Sequence, residues 1–299
     1  MGIEAMNAMR INAGNPEELI AEITRLCKSE LHVYRGEHRV FDHVSSSIYR
    51  KYFDIFQAGG DFLPLNVEME ITQRARHSQY SFETPIEEIL TDIRHFGGDT
   101  TLIDFSYSIP IALFFACLGK FEEDGRIIAV PVKSIQNMFD NQSYGEETVL
   151  SFLRPTRTEN SRARTEFQSS VFVHAPMGYI DFNKHRFTSI IIPENLKRDC
   201  LDYLDRYQNI RMDTIYNDLI GFIENERNSR ESLHWLYSGL NKYHNGEFEE
   251  AVLDFDRSIM LNPRNATAWY NRGRTKLFLG NHDEAALDFE RAIELTKIS

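Results

Sequence analysis

Cysteine is scarce in this sequence: Cys27, Cys117 and Cys200 are the only three in 299 residues. They lie far apart and keep no zinc-like spacing, which argues against a disulfide scaffold or a structural zinc site and for free thiols in a reducing compartment. Positive charge is in deficit too. The 33 Lys+Arg against 45 Asp+Glu leave a net charge of −12. Coating a phosphate backbone needs clustered Lys and Arg, so bulk nucleic-acid binding is not expected, although a local basic pocket stays compatible with this balance. Long apolar runs are missing. The longest, from Ile109 to Leu118, is too short to span a bilayer and contains Pro110. The N-terminus shows no charged head followed by an apolar core, and Met6 stands where a myristoylation signal needs Ser or Thr. A soluble, cytoplasmic protein with no membrane partner is expected. His38, His43, His77, His174 and His185 are scattered and match no metal-ligand spacing, and neither a nucleophile elbow nor a phosphate loop is present. No metal is therefore expected. What the chain does have is 42% hydrophobic and 12% aromatic residues, enough to bury a core.

The C-terminal quarter repeats itself. Trp235 and Trp269 are 34 positions apart, and so are Gly239 and Gly273, Gly246 and Gly280, Ala251 and Ala285, and Phe255 and Phe289. Within each unit the apolar residues recur at helical spacing, a glycine separates two such runs, and Asn262-Pro263 forces a turn between the units. This pattern resembles two tetratricopeptide repeats over residues 231–299. The resemblance implies a surface that holds a peptide, a helix or a partner subunit. Two repeats are fewer than a free-standing solenoid usually needs, which leaves docking on another part of the chain, or an oligomer, open.

The larger N-terminal part mixes strands and helices without strict alternation, which argues for α+β. Asn15-Pro16-Glu17-Glu18 marks a helix start in an N-terminal helical segment, residues 1–29. A buried strand is predicted over Leu31 to Gly36, a short helix after Ser45-Ser46-Ser47, and a helix from Pro85 to about His95 that Gly97-Gly98 ends. A short strand follows at Leu102-Ile103, then a buried helix over Ile111 to Leu118. Further strands are predicted at Arg126 to Val132, Val171 to Val173 and Ser189 to Ile192, and amphipathic helices at Leu196 to Tyr207 and Thr214 to Ile223. The polar run Glu224 to Arg230 reads as the joint between the two parts.

Four segments carry candidate chemistry. In Tyr34-Arg35-Gly36-Glu37 an Arg precedes open backbone, an arrangement suited to phosphate or carboxylate; a salt bridge from Arg35 to Glu37 or Asp104 is the alternative. From His95 to Ser108 polar groups crowd between apolar runs: His95 as acid, base or ribose ligand, Ser106 and Ser108 for hydroxyls, and Tyr107 as an aromatic face. Side chains that cap their own backbone are the alternative there. In an extended Arg162 to Gln168, Glu166 and Gln168 fall on one face, placing a carboxylate and an amide toward one sugar, unless the segment is a solvated edge. Arg154, Arg157, Arg162 and Arg164 form a basic cluster that suits phosphates or a solvated loop.

At these residues the sequence resembles the FRG domain, named for its Phe/Tyr-Arg-Gly motif. Tyr34-Arg35-Gly36-Glu37, Val44 to Arg50, and the run from His95 through Ser106 into Ala112-Leu113-Phe114-Phe115-Ala116 carry the resemblance, which extends over residues 30–225. The family occurs in bacteria and their phages in contexts of conflict and defence, so the resemblance implies a bacterial effector of defence or toxin type. The order Arg35, then Ser106 and Ser108, then Glu166 and Gln168 is similar to that of ADP-ribosyltransferases. It implies a mixed-sheet fold of that kind with NAD as substrate and no metal. Arg35 would hold the pyrophosphate, His95 or Ser106 a ribose, Tyr107 the nicotinamide ring, and Glu166 the positive charge that develops on the ribose. Asp104 and Ser108 complete the binding set, and Arg35, His95, Glu166 and Gln168 the catalytic set. Two functions follow: ADP-ribosyl transfer or NAD hydrolysis with the repeats recruiting a protein, or a non-catalytic module that senses a nucleotide or protein and signals to a partner. In a third reading Arg35, His95 and Asp104 only fix the fold.

Overall fold

The structure is a computed structural model that describes residues 8–53, 64–78, 80–95, 97–137, 151–153, 168–181, 186–216 and 219–297. The chain divides into two compact units, residues 1–210 and 211–299.

In the first unit β1 (Ala8–Arg10) precedes α1 (Pro16–Cys27). Then come β2 (His32–Glu37), β3 (Val44–Ser45), α2 (Ser47–Lys51), α3 (Pro64–Ser78) and α4 (Ile86–His95). β4 (Leu102–Ser106), α5 (Ile109–Cys117) and β5 (Gly125–Pro131) form the centre. β6 (Gln136–Asn137), β7 (Ser151–Leu153), β8 (Ser170–His174), β9 (Tyr179–Ile180), β10 (Thr188–Ile192) and α6 (Lys197–Gln208) complete the unit.

Several boundaries follow from local chemistry. The Asn15 side chain accepts from the Glu18 amide at 2.9 Å and Pro16 takes the first turn of α1. Ser46 and Ser108 accept from the Tyr49 and Ile111 amides and cap α2 and α5. Past α4, the amides of Gly97 and Gly98 reach back to the Arg94 and Ile93 carbonyls, as two glycines at a helix end allow.

The main sheet has eight strands in the order β1-β10-β5-β2-β4-β8-β7-β6, and β3 and β9 make a small second sheet. The pairs from β10 to β7 are antiparallel, while β1 with β10 and β6 with β7 are parallel. One face of the main sheet carries Val33, Ile103, Phe105, Ile128, Val130, Val171 and Val173, packed with Val44 and Ile180 of the small sheet. The other face carries Leu102 and Phe172 against Leu90 of α4, and lies under α5. α5 is apolar on all sides because the sheet, α1 and α6 pack around it. The Lys197 ammonium is buried under its C-terminal end and donates to the carbonyls of His38, Gly119 and Lys120 at 2.6, 3.3 and 2.8 Å, although burial lowers its affinity for the proton. Two of its three acceptors, the Gly119 and Lys120 carbonyls, lie just past the helix end.

The second unit is helical: α7 (Met212–Ile215), α8 (Leu219–Asn245), α9 (Phe248–Leu261), α10 (Ala266–Phe278) and α11 (His282–Lys297). Gly246 and Gly280, at φ of 81° and 82°, turn the chain between α8 and α9 and between α10 and α11. Leu236, Ala251, Phe255, Ile259 and Ala268 share a core with Trp269 against it. Arg272 of α10 bridges two helices, donating to Asp288 at 2.8 Å and Asp256 at 2.6 Å. These are helical hairpins of the tetratricopeptide kind.

Three expectations change. The N-terminal segment is not helical alone, because β1 joins the sheet edge through β10. The polar run Glu224 to Arg230 lies inside α8, and the division between units falls after Ile210. That run contains no Gly or Pro and several good helix formers, so polarity did not interrupt the helix. The helix predicted from Thr214 is instead α7 ending at Ile215, with α8 beginning at Leu219.

Candidate functional site

β2 and β4 hydrogen-bond at a single register pair, Tyr34 with Ser106. Beyond it the Arg35 side chain takes the place of ladder bonds: its Nη1 donates to the Asp104 carbonyl at 3.0 Å. Arg35 Nε donates to Glu37 Oε1 at 3.0 Å, and Arg126 Nε donates to Glu37 Oε2 at 2.7 Å. Arg126 Nη2 lies 2.7 Å from that same oxygen but off the line of a hydrogen bond. Both Glu37 and Arg126 are buried. The alternation of β2 and β5 puts Arg35, Glu37 and Arg126 on the apolar face, at its end, where the one carboxylate pairs with both guanidiniums.

Asp104 links this group to α4. Arg94 Nε donates to both carboxylate oxygens at 3.1 Å, Arg94 Nη2 also donates to Oδ2, and Arg35 Nη1 lies 3.9 Å away. Arg94 Nη1 reaches Ser47 Oγ at 3.4 Å. The Asp104 side chain is 42% exposed. Desolvation pushes its carboxyl toward the neutral form, and the Arg94 guanidinium, through charge and hydrogen bonds, outweighs this and holds it below the usual carboxylate range, helped by Arg35.

Ser106 Oγ donates to the Gln168 carbonyl at 2.6 Å and accepts from the Ser108 amide at 3.0 Å. The Tyr107 amide donates to the Ser169 carbonyl at 3.1 Å, and the Tyr107 ring is 39% exposed. Gln168 Oε1 accepts from Ser170 Oγ at 3.3 Å. Arg35, Ser106 and Gln168 thus lie where β2, β4 and the turn before β8 come side by side; residues 162–167 of the third candidate segment lie outside the described residues. The local alternatives raised by the sequence are what these contacts show: Arg35 is in salt bridges, and the Ser106 and Ser108 hydroxyls cap backbone. Gln168 is in a turn before β8, not in a strand, because Ser169 takes a left-handed φ of 47°. His95 closes α4, and its side chain lies outside the described residues, as do Glu166 and the cluster Arg154, Arg157, Arg162 and Arg164. Among the described residues no group of three His, Cys, Asp or Glu is placed to hold a metal, and no helix is long and apolar enough to cross a membrane.

A second buried polar cluster lies in the same unit. Glu68 of α3 accepts from the Thr101 amide at 2.6 Å and hydroxyl at 2.5 Å, and its other oxygen lies 3.2 Å from His174 Nε2. Sequence reading missed it, because the partners are 33 and 106 positions from Glu68 and α3 is mostly polar. Burial raises the Glu68 carboxyl, and the bonds to His174 and Thr101 outweigh this and lower it. A carboxyl lowered by folding contributes stability that is complete above its unfolded value of about 4.3 and is lost as pH falls through the lower folded value. Glu68→Gln is therefore expected to flatten the acid limb of unfolding midpoint against pH below about pH 4. An unchanged acid limb would show that Glu68 is not part of it.

Fold and contacts define the class: an α+β unit whose central strand ends in a network of guanidiniums and carboxylates, followed by a helical-repeat unit. Comparison with family models adds the names. The FRG domain model matches residues 30–125, and the tetratricopeptide repeat model matches residues 266–298, the hairpin α10–α11. The chain therefore carries an FRG domain and a C-terminal tetratricopeptide repeat. Arg35, His95 and Ser106 lie inside the FRG match, and Gln168 beyond it. No curated protein matches the chain.

Proposed function

We propose that the FRG unit binds NAD where β2, β4 and β8 meet and uses it in ADP-ribosyl transfer or hydrolysis, while the repeats hold a protein partner. The observation that carries this reading is the meeting of three separated segments: Arg35 bonds the Asp104 carbonyl at 3.0 Å, and Ser106 bonds Gln168 at 2.6 Å, with the Tyr107 ring exposed beside them. In this reading Tyr107 stacks on nicotinamide. The bond from nicotinamide nitrogen to ribose C1′ breaks with its electron pair leaving on nicotinamide. Glu166 stabilises the cationic ribose, and water or a macromolecular nucleophile adds at C1′ and gives up a proton. The chain is then a bacterial effector of defence or toxin type.

A tetratricopeptide repeat supports protein–protein interaction. The two hairpins supply their own comparison: Ile259 of α9 is 7% exposed in the core it shares with α10, whereas Ile293, 34 positions later on α11, is 54% exposed. The repeat stack thus ends on uncovered apolar surface. The non-catalytic alternative rests on the side chain of Gln168, which is neutral and accepts from Ser170, while its backbone carbonyl accepts from Ser106.

Nicotinamide release separates the two. The 299-residue chain incubated with NAD is expected to release nicotinamide, and Glu166→Ala to abolish release while NAD still binds. Full activity in Glu166→Ala would remove Glu166 from the mechanism. Saturable NAD binding without release by the unaltered chain would favour sensing.

A further inference from the structure

The two hairpins of the helical unit are built alike on the inside. The Phe255 ring lies against Gly239, and the Phe289 ring against Gly273, 34 positions on. They differ on the outer side. In the first hairpin Leu236 of α8 is 5% exposed and Ile259 of α9 7%, in a core they share with Ala268 of α10, and Tyr243 packs against that core. Asp256 of α9 accepts from Arg272 of α10 at 2.6 Å. The corresponding residues of the second hairpin are Tyr270 and Leu277 of α10, and Ile293 and Glu290 of α11. The three apolar ones are 50%, 42% and 54% exposed, and Glu290 is exposed with them.

Tyr270 and Leu277 are two turns apart on α10, and Glu290 and Ile293 one turn apart on α11, so each pair shares a face. A helical-repeat stack left open to water ends on a polar face. This face is apolar with a carboxylate set in it, and it repeats the surface that α10 covers on the first hairpin. α10 therefore shows the chemistry that fits. Ala268 is small and buried, which lets the helix come close. Arg272, four positions on, pairs with the acid. Arg274, two further, donates to Tyr243 Oη at 3.2 Å. Leu277 stands in the place of Tyr243 on the second hairpin and has no hydroxyl, so the third position calls for an apolar side chain. A second copy of the chain does not supply such a helix. Its α10 is engaged with its own α9, and its α8 carries His234 and Ser238 where α10 carries Ala268 and Arg272.

We infer that the open face of α10 and α11 docks an amphipathic helix of a partner protein, one with a small residue, an arginine four positions on, and an apolar residue two beyond that. The arginine pairs with Glu290, and the small residue lies over Ile293 as Ala268 lies over Ile259. This deepens the reading that the repeats hold a protein and rests on it; it is independent of NAD.

The probe is a fluorescein-labelled, side-chain-stapled peptide with the sequence of residues 264–279 and Arg274→Leu, titrated into the 299-residue chain and read by anisotropy. Saturable binding is expected, weakened at least about tenfold in Glu290→Arg, the loss of one charge-assisted contact. Ile293→Asp, which sets a charge under the docked helix, is expected to weaken it by at least as much. A peptide that also carries Arg272→Glu is expected to bind Glu290→Arg better than it binds the unaltered chain. Both altered positions are exposed, and Glu290→Gln and Ile293→Ala serve if either variant fails to fold. Absence of saturable binding to the unaltered chain, or equal affinity in the variants, overturns the inference. Sedimentation of the chain alone gives the other occupant. A dimer lost in Ile293→Asp, with no peptide bound, assigns the face to a second copy, which overturns the partner helix and keeps the reading that the repeats hold a protein. A chain that binds no peptide and stays monomeric overturns the inference and takes this face out of that reading as well.

Discussion

Gly36→Ala is expected to unfold the FRG unit or to lower its stability by more than about 3 kcal/mol, above the usual range for overpacking. A Cβ at this position would stand 1.8 Å from the Ala112 carbonyl oxygen and 2.6 Å from the Ala116 amide nitrogen of α5. Both are backbone atoms of a buried helix, so no side chain can rotate away. α5 would have to lift from β2, and Ala112, Leu113 and Ala116, all buried, would lose their packing. A domain of ordinary stability has only about 5–15 kcal/mol in total. Chemical unfolding followed by circular dichroism checks this. A midpoint equal to that of the unaltered chain would mean that α5 does not sit on β2 as described.

The second large effect is expected at Glu37. Glu37→Ala strands the buried Arg126 guanidinium without its carboxylate, and an uncompensated buried charge costs about 3–5 kcal/mol. The double variant Glu37→Leu with Arg126→Met is expected to recover most of that loss, because two apolar side chains of similar volume avoid the desolvation of both charges. A loss below about 1 kcal/mol in Glu37→Ala would mark the pair as solvated, like an ordinary surface ion pair. Glu37 and Arg126, both buried, hold the end of the sheet, and the Arg35 side chain is 16% exposed.

Local chemistry was legible in the sequence and long-range partners were not. Asn15-Pro16, Ser46, Ser108 and Gly97-Gly98 mark helix ends through bonds that span three to five residues, so their residue types suffice to place them. The repeat unit was legible for a related reason: its packing joins neighbouring helices, and the same sizes return every 34 positions at Gly239 and Gly273 and at Phe255 and Phe289. The partners of Arg35 were among those foreseen. Those of Asp104 and Glu37 were foreseen only in part, since Arg94 lies on a helix and Arg126 on another strand, 89 positions from Glu37. The Glu68–His174 pair was missed for the same reason. β1 escaped notice because a three-residue edge strand has no periodicity to read.

The account stands or falls on whether the meeting point of β2, β4 and β8 takes NAD. The most direct measurement mixes NAD with the purified 299-residue chain and reads bound NAD and free nicotinamide in one sample, beside Tyr107→Ala. Saturable binding with nicotinamide release is predicted, weakened about tenfold in Tyr107→Ala as one lost ring stack implies, with folding intact. A chain that neither binds NAD nor releases nicotinamide would contradict the account and leave the Arg35 network as a structural feature of the sheet.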